Sequence, residues 1–531
     1  MPALETDGED TRSIGAVAAS LHPAPVPPGA SAAARICQTR SVPTVNRVLD
    51  PRPVETLDQY RAAGGGGGLD AARRLGADAA IDEVLASGLR GRGGAGFPTG
   101  RKWRTVADNC SPLEPSTVVV NAAEGEPGSF KDRMMLQRNP YRVLEGALVA
   151  ALAVGADQVI VGMERRFVAE AGRVEAAIDE IRAAGWAPDV RIEVFRGPNE
   201  YLLGEETAML ESIDGRYPFP RITPPYRRGV DEVVEHAGDL DSDSASAAHV
   251  ELAGPDAETV APPTLVDNVE TLANCALILA EGADWFRELG TPDSPGTFVC
   301  TVTGATQRHG VAEMPMGTPL AEVIEAVGGG VRDGCTLKAV MQGDASSLVP
   351  ASKLDTPVSW EGMESIGSGL GAAAFMVLDD ETDVAAVAAG ASRFLAVESC
   401  GQCVPCKRQG LAVADALERL CRSQAEEHEL DTIADQLVSI ADGARCSLAT
   451  QHQVVVGSFL ELFRDELRAH VDGDAPGEPP APFAVIVSLD EGRAVLDDTQ
   501  ARKQPDWTFE EPWSGRYPAD RLDDHRAHEL L

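Results

Sequence analysis

Between residues 117 and 195 the chain alternates short apolar runs with helical periods, and that alternation limits the possible folds more than any other feature. Thr117–Val120 (TVVV) reads as a buried strand running into a loop, Gln158–Gly162 (QVIVG) as a second strand and Val190–Phe195 (VRIEVF) as a third. Between the first two, Asn139-Pro140 supplies an N-cap and a first-turn proline for a helix carrying Leu144, Leu148 and Leu152. A charged helix reaching about Ala184 separates the second strand from the third. Strand–helix–strand repetition of this kind predicts a parallel sheet covered by helices, with ligands at the carboxyl ends of its strands.

The texture changes twice further on. From about 296 the short runs TFVCTVTG, LKAVMQGD and AAAFMVLD, with one helical segment PLAEVIEAVGG, predict a small α+β module ending near 385. Beyond it the chain is helical, marked by Leu411, Leu417 and Leu420, then Leu437 and Ile440, then Phe459, Leu462, Phe463 and Leu467. Residues 1–50 are rich in Ala, Pro and Ser, lack large apolar residues, and predict a disordered arm. Gly64–Gly68 reads as a flexible connection. The stretch 472–531 is Pro- and charge-rich with little periodicity, and its role is unknown from sequence.

Charge excludes two classes of partner. Lys and Arg number 46 against 83 Asp and Glu, a net charge of −37, where nucleic acids and anionic membranes reward basic surfaces. No apolar run reaches the ~20 residues needed to span a bilayer. The N-terminus, with Glu5, Asp7, Glu9 and Asp10, lacks an export pattern, so a cytoplasmic protein is expected. Against this acidic background, GLRGRGGAGFPTGRKW (Gly88–Trp103) stands apart, because no Asp or Glu occurs between Val84 and Ala107. Gly91, Gly93, Gly94 and Gly96 permit close backbone approach, Arg92 and Lys102 can neutralise phosphate, and Phe97 offers a face to a ring system. The stretch is neither a Walker A sequence nor a dinucleotide fingerprint, so its weight comes from what accompanies it.

The strongest metal signal is ESCGQCVPCKRQG. Cys400, Cys403 and Cys406 form C-x2-C-x2-C, and Cys446 in GARCSLA can return as a fourth ligand across a helical hairpin. Gly401 allows backbone to approach inorganic sulfide, and Lys407 and Arg408 would offset cluster charge. The alternatives are a zinc site or three free thiols; structural zinc sites usually add a second cysteine pair or histidines, which are not visible nearby, so iron–sulfur is favoured over zinc. Cys37, Cys110, Cys275, Cys300, Cys335 and Cys421 are isolated and read as ordinary small residues. Two further segments hold carboxylates: NAAEGEPGSFKDR with Glu124 and Glu126, and YLLGEETAMLES, where Glu205 and Glu206 at a helix start also fit simple complementarity to the helix dipole.

In this order, these segments together with PTLVDNVETL resemble the NADH-binding flavoprotein subunit of respiratory complex I and its relatives in NAD-linked hydrogenases and formate dehydrogenases, over about residues 55–470. The resemblance implies an α/β Rossmann-like FMN domain (51–295), an α+β β-grasp module of the soluble-ligand-binding type (296–385) and an α-helical bundle (386–471) holding a [4Fe–4S] cluster. It places the glycine loop with Arg92 and Lys102 at the flavin and nucleotide, and Asn121, Tyr201, Gly204, Glu205 and Asn268 at FMN. Phe97, Glu126 and Glu206 fall where the family receives NADH, and Cys400, Cys403, Cys406 and Cys446 match its cluster ligands.

Four positions depart from the family pattern. Ala123 stands where the family has Asp, Asp267 where it has Asn, Thr223 where it has Lys and Tyr226 where it has Phe. The implied activity is NADH oxidation, hydride passing to FMN and single electrons to the cluster. The alternative motivated by Ala123, Asp267 and Thr223 is an FMN and iron–sulfur relay without productive NADH binding. A cofactor-free paralogue is the third reading. Implied partners are a thioredoxin-like [2Fe–2S] subunit and a larger iron–sulfur or catalytic subunit, with no nucleic acid and no direct membrane insertion. The expected location is the cytoplasm, peripheral to the inner face of the cell membrane through such a complex.

Overall fold

The valine runs do form a parallel sheet. In the computed structural model, β1 (Ser116–Asn121), β2 (Ala156–Glu164) and β3 (Arg191–Gly197) lie side by side, β4 (Glu232–Val233) and β5 (His249–Val250) form a separate pair, and β6 (Thr264–Asn268) joins the first sheet. The structure describes residues 44–110, 116–222 and 263–521, together with the backbone of β4 and β5, all within the unit Val42–Leu531. The first sheet has the order β3-β2-β1-β6 with every pair parallel. Its two faces bury alternate side chains, as the strand period requires. Val118, Val120, Val159 and Val161 face helices Pro140–Val154, Val168–Ala183 and Val269–Glu281. Val119, Ile160 and Val266 face the other way, onto Leu203, Met209 and Leu210. Asn139 caps the first helix, accepting from Arg142 N at 3.2 Å, with Pro140 in its first turn.

β1 has β2 on one side and β6 on the other, so the chain reverses its direction of progress across the sheet between β1 and β6. Crevices at such a point collect ligands outside the carboxyl ends of the strands. Asn121 and Asn268 end these two strands as register partners.

The second sheet is mixed: β7 (Thr297–Gly304), β8 (Gly310–Pro315), β9 (Leu337–Gln342), β10 (Val349–Pro350) and β11 (Ala374–Asp379) take the order β10-β9-β11-β7-β8. Only β11 and β7 run parallel. Helices Val384–Glu398, Val404–Cys421, Glu429–Ser439, Leu448–Leu462 and Arg464–Asp472 follow. Leu417, Leu420, Leu437, Ile440, Phe459, Phe463 and Leu467 are buried among them, and Leu462 ends its helix exposed. Among the described residues no helix is long and apolar enough to cross a membrane.

Two expectations need correction. The glycine run is not a loose connection, because Gly67–Leu75 is a helix. Buried Glu145 accepts from Gly66 N (2.8 Å), Leu69 N (3.0 Å) and the Tyr60 hydroxyl (2.6 Å). A Cβ at Gly68 would lie 2.2 Å from Ala276 O, so glycine lets this helix reach Val269–Glu281. Residues 44–50 also leave the proposed arm: Val48 and Leu49 are buried, and their amides donate to Glu313 at 2.8 and 3.0 Å. The preceding residues lie outside the described chain.

Candidate functional site

A cleft of about 770 Å³ opens at the β1/β6 crevice, lined by the glycine loop, the strand ends, the turn Tyr201–Gly204 and parts of the mixed-sheet and helical regions. Gly91, Gly93, Gly94, Phe97 and Lys102 line it, as do Asn121, Glu126, Tyr201, Gly204, Glu205, Glu206 and Asn268. Gly96 has φ +63°, and a Cβ there would lie 2.6 Å from the Trp360 ring, so the loop conformation demands glycine. Phe97 is 51% exposed at the mouth.

Arg92 departs from its expected role. Its side chain turns into the protein and is 4% exposed. The guanidinium donates to the carbonyls of Thr297 (2.9 Å), Pro295 (3.3 Å) and Arg90 (2.9 Å), and lies 3.8 Å from Glu270. Burial lowers its pKa to about 10. Arg92 is therefore a strut beneath the loop, and the arginine at the cleft is Arg90, whose Nε donates to Gly96 O at 2.7 Å while its guanidinium sits 4.7 Å over Trp360.

The strand ends position the polar groups. Asn121 donates to Gly204 O at 2.8 Å. Asn268 caps its helix by accepting from Glu270 N (2.9 Å) and donates to Asp132 at 2.6 Å. Glu205 caps helix Glu206–Ile213, accepting from Ala208 N at 2.8 Å. Lys102 pairs with Glu206 at 2.9 Å and donates to Val266 O at 2.6 Å; burial works against its charge, but Glu206 and Asp267 outweigh it and raise the pKa. Asp267 turns away from a bare anion's role: it accepts from the Trp103 indole at 2.7 Å, Lys102 lies 4.0 Å away, and burial raises its pKa to about 6. Burial, with Asp344 nearby, also pushes the Glu126 carboxyl well above the usual range, and burial raises Glu205.

The four cysteines converge. Cys400, Cys403, Cys406 and Cys446 line one small cavity with Leu202, Pro220, Arg445 and Leu448. Cys403 and Cys406 sit at the start of helix Val404–Cys421, and Cys446 two residues before helix Leu448–Leu462. Two helix N-termini therefore begin beside the sulfurs, and their partial positive charge would favour a bound anionic cluster. Phe219, Phe394, Leu395 and Ala449 complete an apolar shell. Burial raises Cys400 to about 12 and raises Cys406, so metal loading must displace protons. A tetrahedral mononuclear zinc site would hold its sulfurs ~3.8 Å apart. The only described trio of ligand atoms within 4.8 Å of one another is Cys335, Asp379 and Asp380, where Asp379 already pairs with Arg332 at 2.5 Å. The wider spacing of the four cysteines suits a polynuclear cluster. Lys407 is buried beside them, donating to the carbonyls of Ala396, Val397 and Ser399 at 2.8–3.1 Å, whereas Arg408 is exposed. Gly401 is required by Tyr517, whose Cβ would lie 2.7 Å from an added Cβ.

Residues 84–276 match the family described as the Nuo51 FMN-binding domain, and residues 386–470 match the NADH-ubiquinone oxidoreductase-F iron–sulfur binding region. The chain is 35% identical over 406 residues to the NADH-quinone oxidoreductase-F protein of Rickettsia typhi, covering 75% of this chain and 90% of the relative. It belongs to the NADH-quinone oxidoreductase-F family. The second such protein of Rhizobium meliloti is 33% identical over 444 residues, 81% of this chain and 98% of the relative. Among solved structures, an NAD+-reducing [NiFe]-hydrogenase in the H2-reduced state superposes with a TM-score of 0.65 at 33% identity, covering 80% of this chain and 66% of that one. As a member of this family, the chain is part of an oxidoreductase. The glycine loop and strand-end residues fall inside its FMN-binding region, and all four cysteines fall inside its iron–sulfur region.

Trp360, Ser368 to Ala372 and Gln451 also line the cleft, and Asp344 accepts from the Tyr201 hydroxyl at 3.0 Å. No local motif marks them, because they arrive from the mixed sheet and the helices through tertiary packing. Thr223 and Tyr226 lie outside the described residues.

Proposed function

We propose that this chain is the electron-input flavoprotein of a multisubunit redox complex, oxidising NADH in the cleft and passing electrons through the cysteine site to partner iron–sulfur subunits. The observation that carries the proposal is a shared wall: Cys446, Leu202 and Leu448 line both the cleft and the cysteine cavity. FMN bound in the cleft supplies the step from a two-electron hydride to single electrons that an iron–sulfur cluster accepts.

The chain's own residues hold and orient. The glycine loop offers backbone to the flavin and its phosphate, with Lys102 as the nearby cation. Asn121, Gly204, Glu205 and Asn268 fix the flavin edge at the sheet, while Phe97, Glu126 and Glu206 receive the nicotinamide nucleotide. Cys400, Cys403, Cys406 and Cys446 hold the [4Fe–4S] cluster, and the surrounding apolar side chains exclude water from it. The three regions 51–295, 296–385 and 386–471 act as a Rossmann-like FMN domain, a β-grasp module and a helical cluster domain. The relatives' names point to nicotinamide chemistry: an NADH-quinone oxidoreductase and an NAD+-reducing hydrogenase. Electrons leave to a thioredoxin-like [2Fe–2S] subunit and a larger iron–sulfur subunit, in a complex at the inner face of the membrane.

The reading without productive NADH binding loses support at Asp267, whose carboxyl is engaged by Trp103 and lies near Lys102. Cofactor analysis followed by anaerobic NADH titration tests the proposal. One FMN and four irons per chain, with flavin absorbance bleached by NADH, are expected. An oxidised flavin spectrum under excess NADH refutes NADH oxidation.

A further inference from the structure

The stretch beyond 472, which carries no periodic signal, runs back over the chain in register with the site. Glu478 N donates to Cys421 O and Ala481 N to Ala386 O, both at 2.8 Å, and the Phe483 ring packs 5.8 Å from Phe394. A hairpin of β12 (Ile486–Asp490) and β13 (Arg493–Leu496) follows. Asp497 after it pairs with Arg166 at 2.8 Å. The Trp507 indole then donates to Val397 O, and Ala519 N donates to the carbonyl of Cys400, each at 2.9 Å. This segment therefore touches a cysteine of the metal site directly.

At its centre is Lys503, whose side chain is 3% exposed. Its ammonium donates to both oxygens of Glu398, at 2.7 and 2.8 Å, and pairs with Glu200. Glu398 also accepts from Tyr201 N at 3.1 Å and from Gln500 at 2.9 Å. Glu200 immediately precedes the turn that presents Tyr201, Leu202 and Gly204 to the cleft. Glu398 ends helix Val384–Glu398, two residues before Cys400. One buried cation thus ties the cleft wall to the cysteine loop. Buried charges of this kind are costly to desolvate, and apolar residues often stabilise as well, so a fixed geometry is the better account of their presence.

We propose that Lys503 is a positioning residue that holds the flavin-side turn and the Cys400 loop at a set separation, making the C-terminal segment part of the electron-transfer machinery. It acts through Glu200 and Glu398 and touches neither cofactor. The inference rests on the cofactor reading above. Wild-type protein lacking FMN or iron would overturn that reading, whereas the comparison below addresses only Lys503.

The full-length Lys503→Met protein is compared with wild type by flavin and iron content, EPR of the reduced cluster, and stopped-flow transfer of electrons from reduced flavin to cluster. Retained FMN and iron are expected, with altered cluster g values and transfer slowed several-fold. Lys503→Arg should restore both. If Lys503→Met does not fold, the E200Q/E398Q/K503M protein removes every charge of the group and leaves none unpaired, and the same altered signal is expected. Wild-type EPR and wild-type transfer in either variant overturn the proposal. So does loss of FMN and iron together in a folded variant, which would make Lys503 a general structural residue.

Discussion

Replacing Arg92 separates two roles that one position in a glycine loop can play. A phosphate ligand would leave the flavin-free protein's stability untouched and weaken FMN binding. A strut would do the reverse. Here the guanidinium satisfies three carbonyls at 2.9–3.3 Å and lies 3.8 Å from Glu270, while Glu270 keeps Lys131 at 2.9 Å. In Arg92→Met the carboxylate therefore stays partnered, and the loss comes from orphaned carbonyls at ~1–3 kcal/mol each, partly recovered by water. A net destabilisation of about 3–5 kcal/mol is expected. Thermal unfolding of flavin-stripped protein followed by circular dichroism reads this directly, and at ~1 °C per kcal/mol for a unit of this size the midpoint should fall by about 3–5 °C. Fluorescence titration with FMN on the same samples should show only a secondary loss of affinity. An unchanged midpoint together with abolished FMN binding would refute the strut and restore Arg92 to the phosphate.

Gly96→Ala places a side chain at φ +63° and within 2.6 Å of the Trp360 ring, at a cost of ~1–2 kcal/mol for the backbone and ~1–3 for the overlap; FMN affinity by fluorescence quenching should fall at least tenfold. Cys403→Ala should abolish the reduced cluster's EPR signal and leave FMN bound, and a retained cluster contradicts the ligand set. Asp267→Asn should change stability only with pH. Because the folded-state pKa is raised to about 6, wild type loses stability as pH climbs from ~4 to ~6. The variant should match wild type below pH ~4 and exceed it at pH 7 by up to about 3 kcal/mol, read from urea unfolding at both pH values. Equal stability at pH 7 contradicts a buried, strained carboxylate.

The parallel sheet is legible in the sequence because Val118–Val120 and the second strand are buried on both faces, which leaves continuous apolar runs. The cysteine site is legible because C-x2-C-x2-C lies within one loop and helix turn, and Cys446 needed only a helical return. Other features depend on partners far along the chain. Gly64–Gly68 looks like a linker until Glu145 and Ala276 are placed beside it. Arg92 looks like a phosphate ligand until the carbonyls of Pro295 and Thr297 claim it. Lys503 shows no signal at all, because its meaning lies in Glu200 and Glu398, some 300 and 105 residues away. Aperiodic segments that follow a surface carry their information in such long-range pairs.

If the cleft and the cysteine site form one electron path, joined at Cys446, Leu202 and Leu448, electrons entering at one must appear at the other. Anaerobic mixing of the loaded protein with NADH, followed by rapid freezing and EPR, is the decisive experiment. Flavin bleaching should be followed by the signal of a reduced [4Fe–4S] cluster within the same turnover. A bleached flavin beside a cluster that stays oxidised, yet is reducible by dithionite, would contradict a single path.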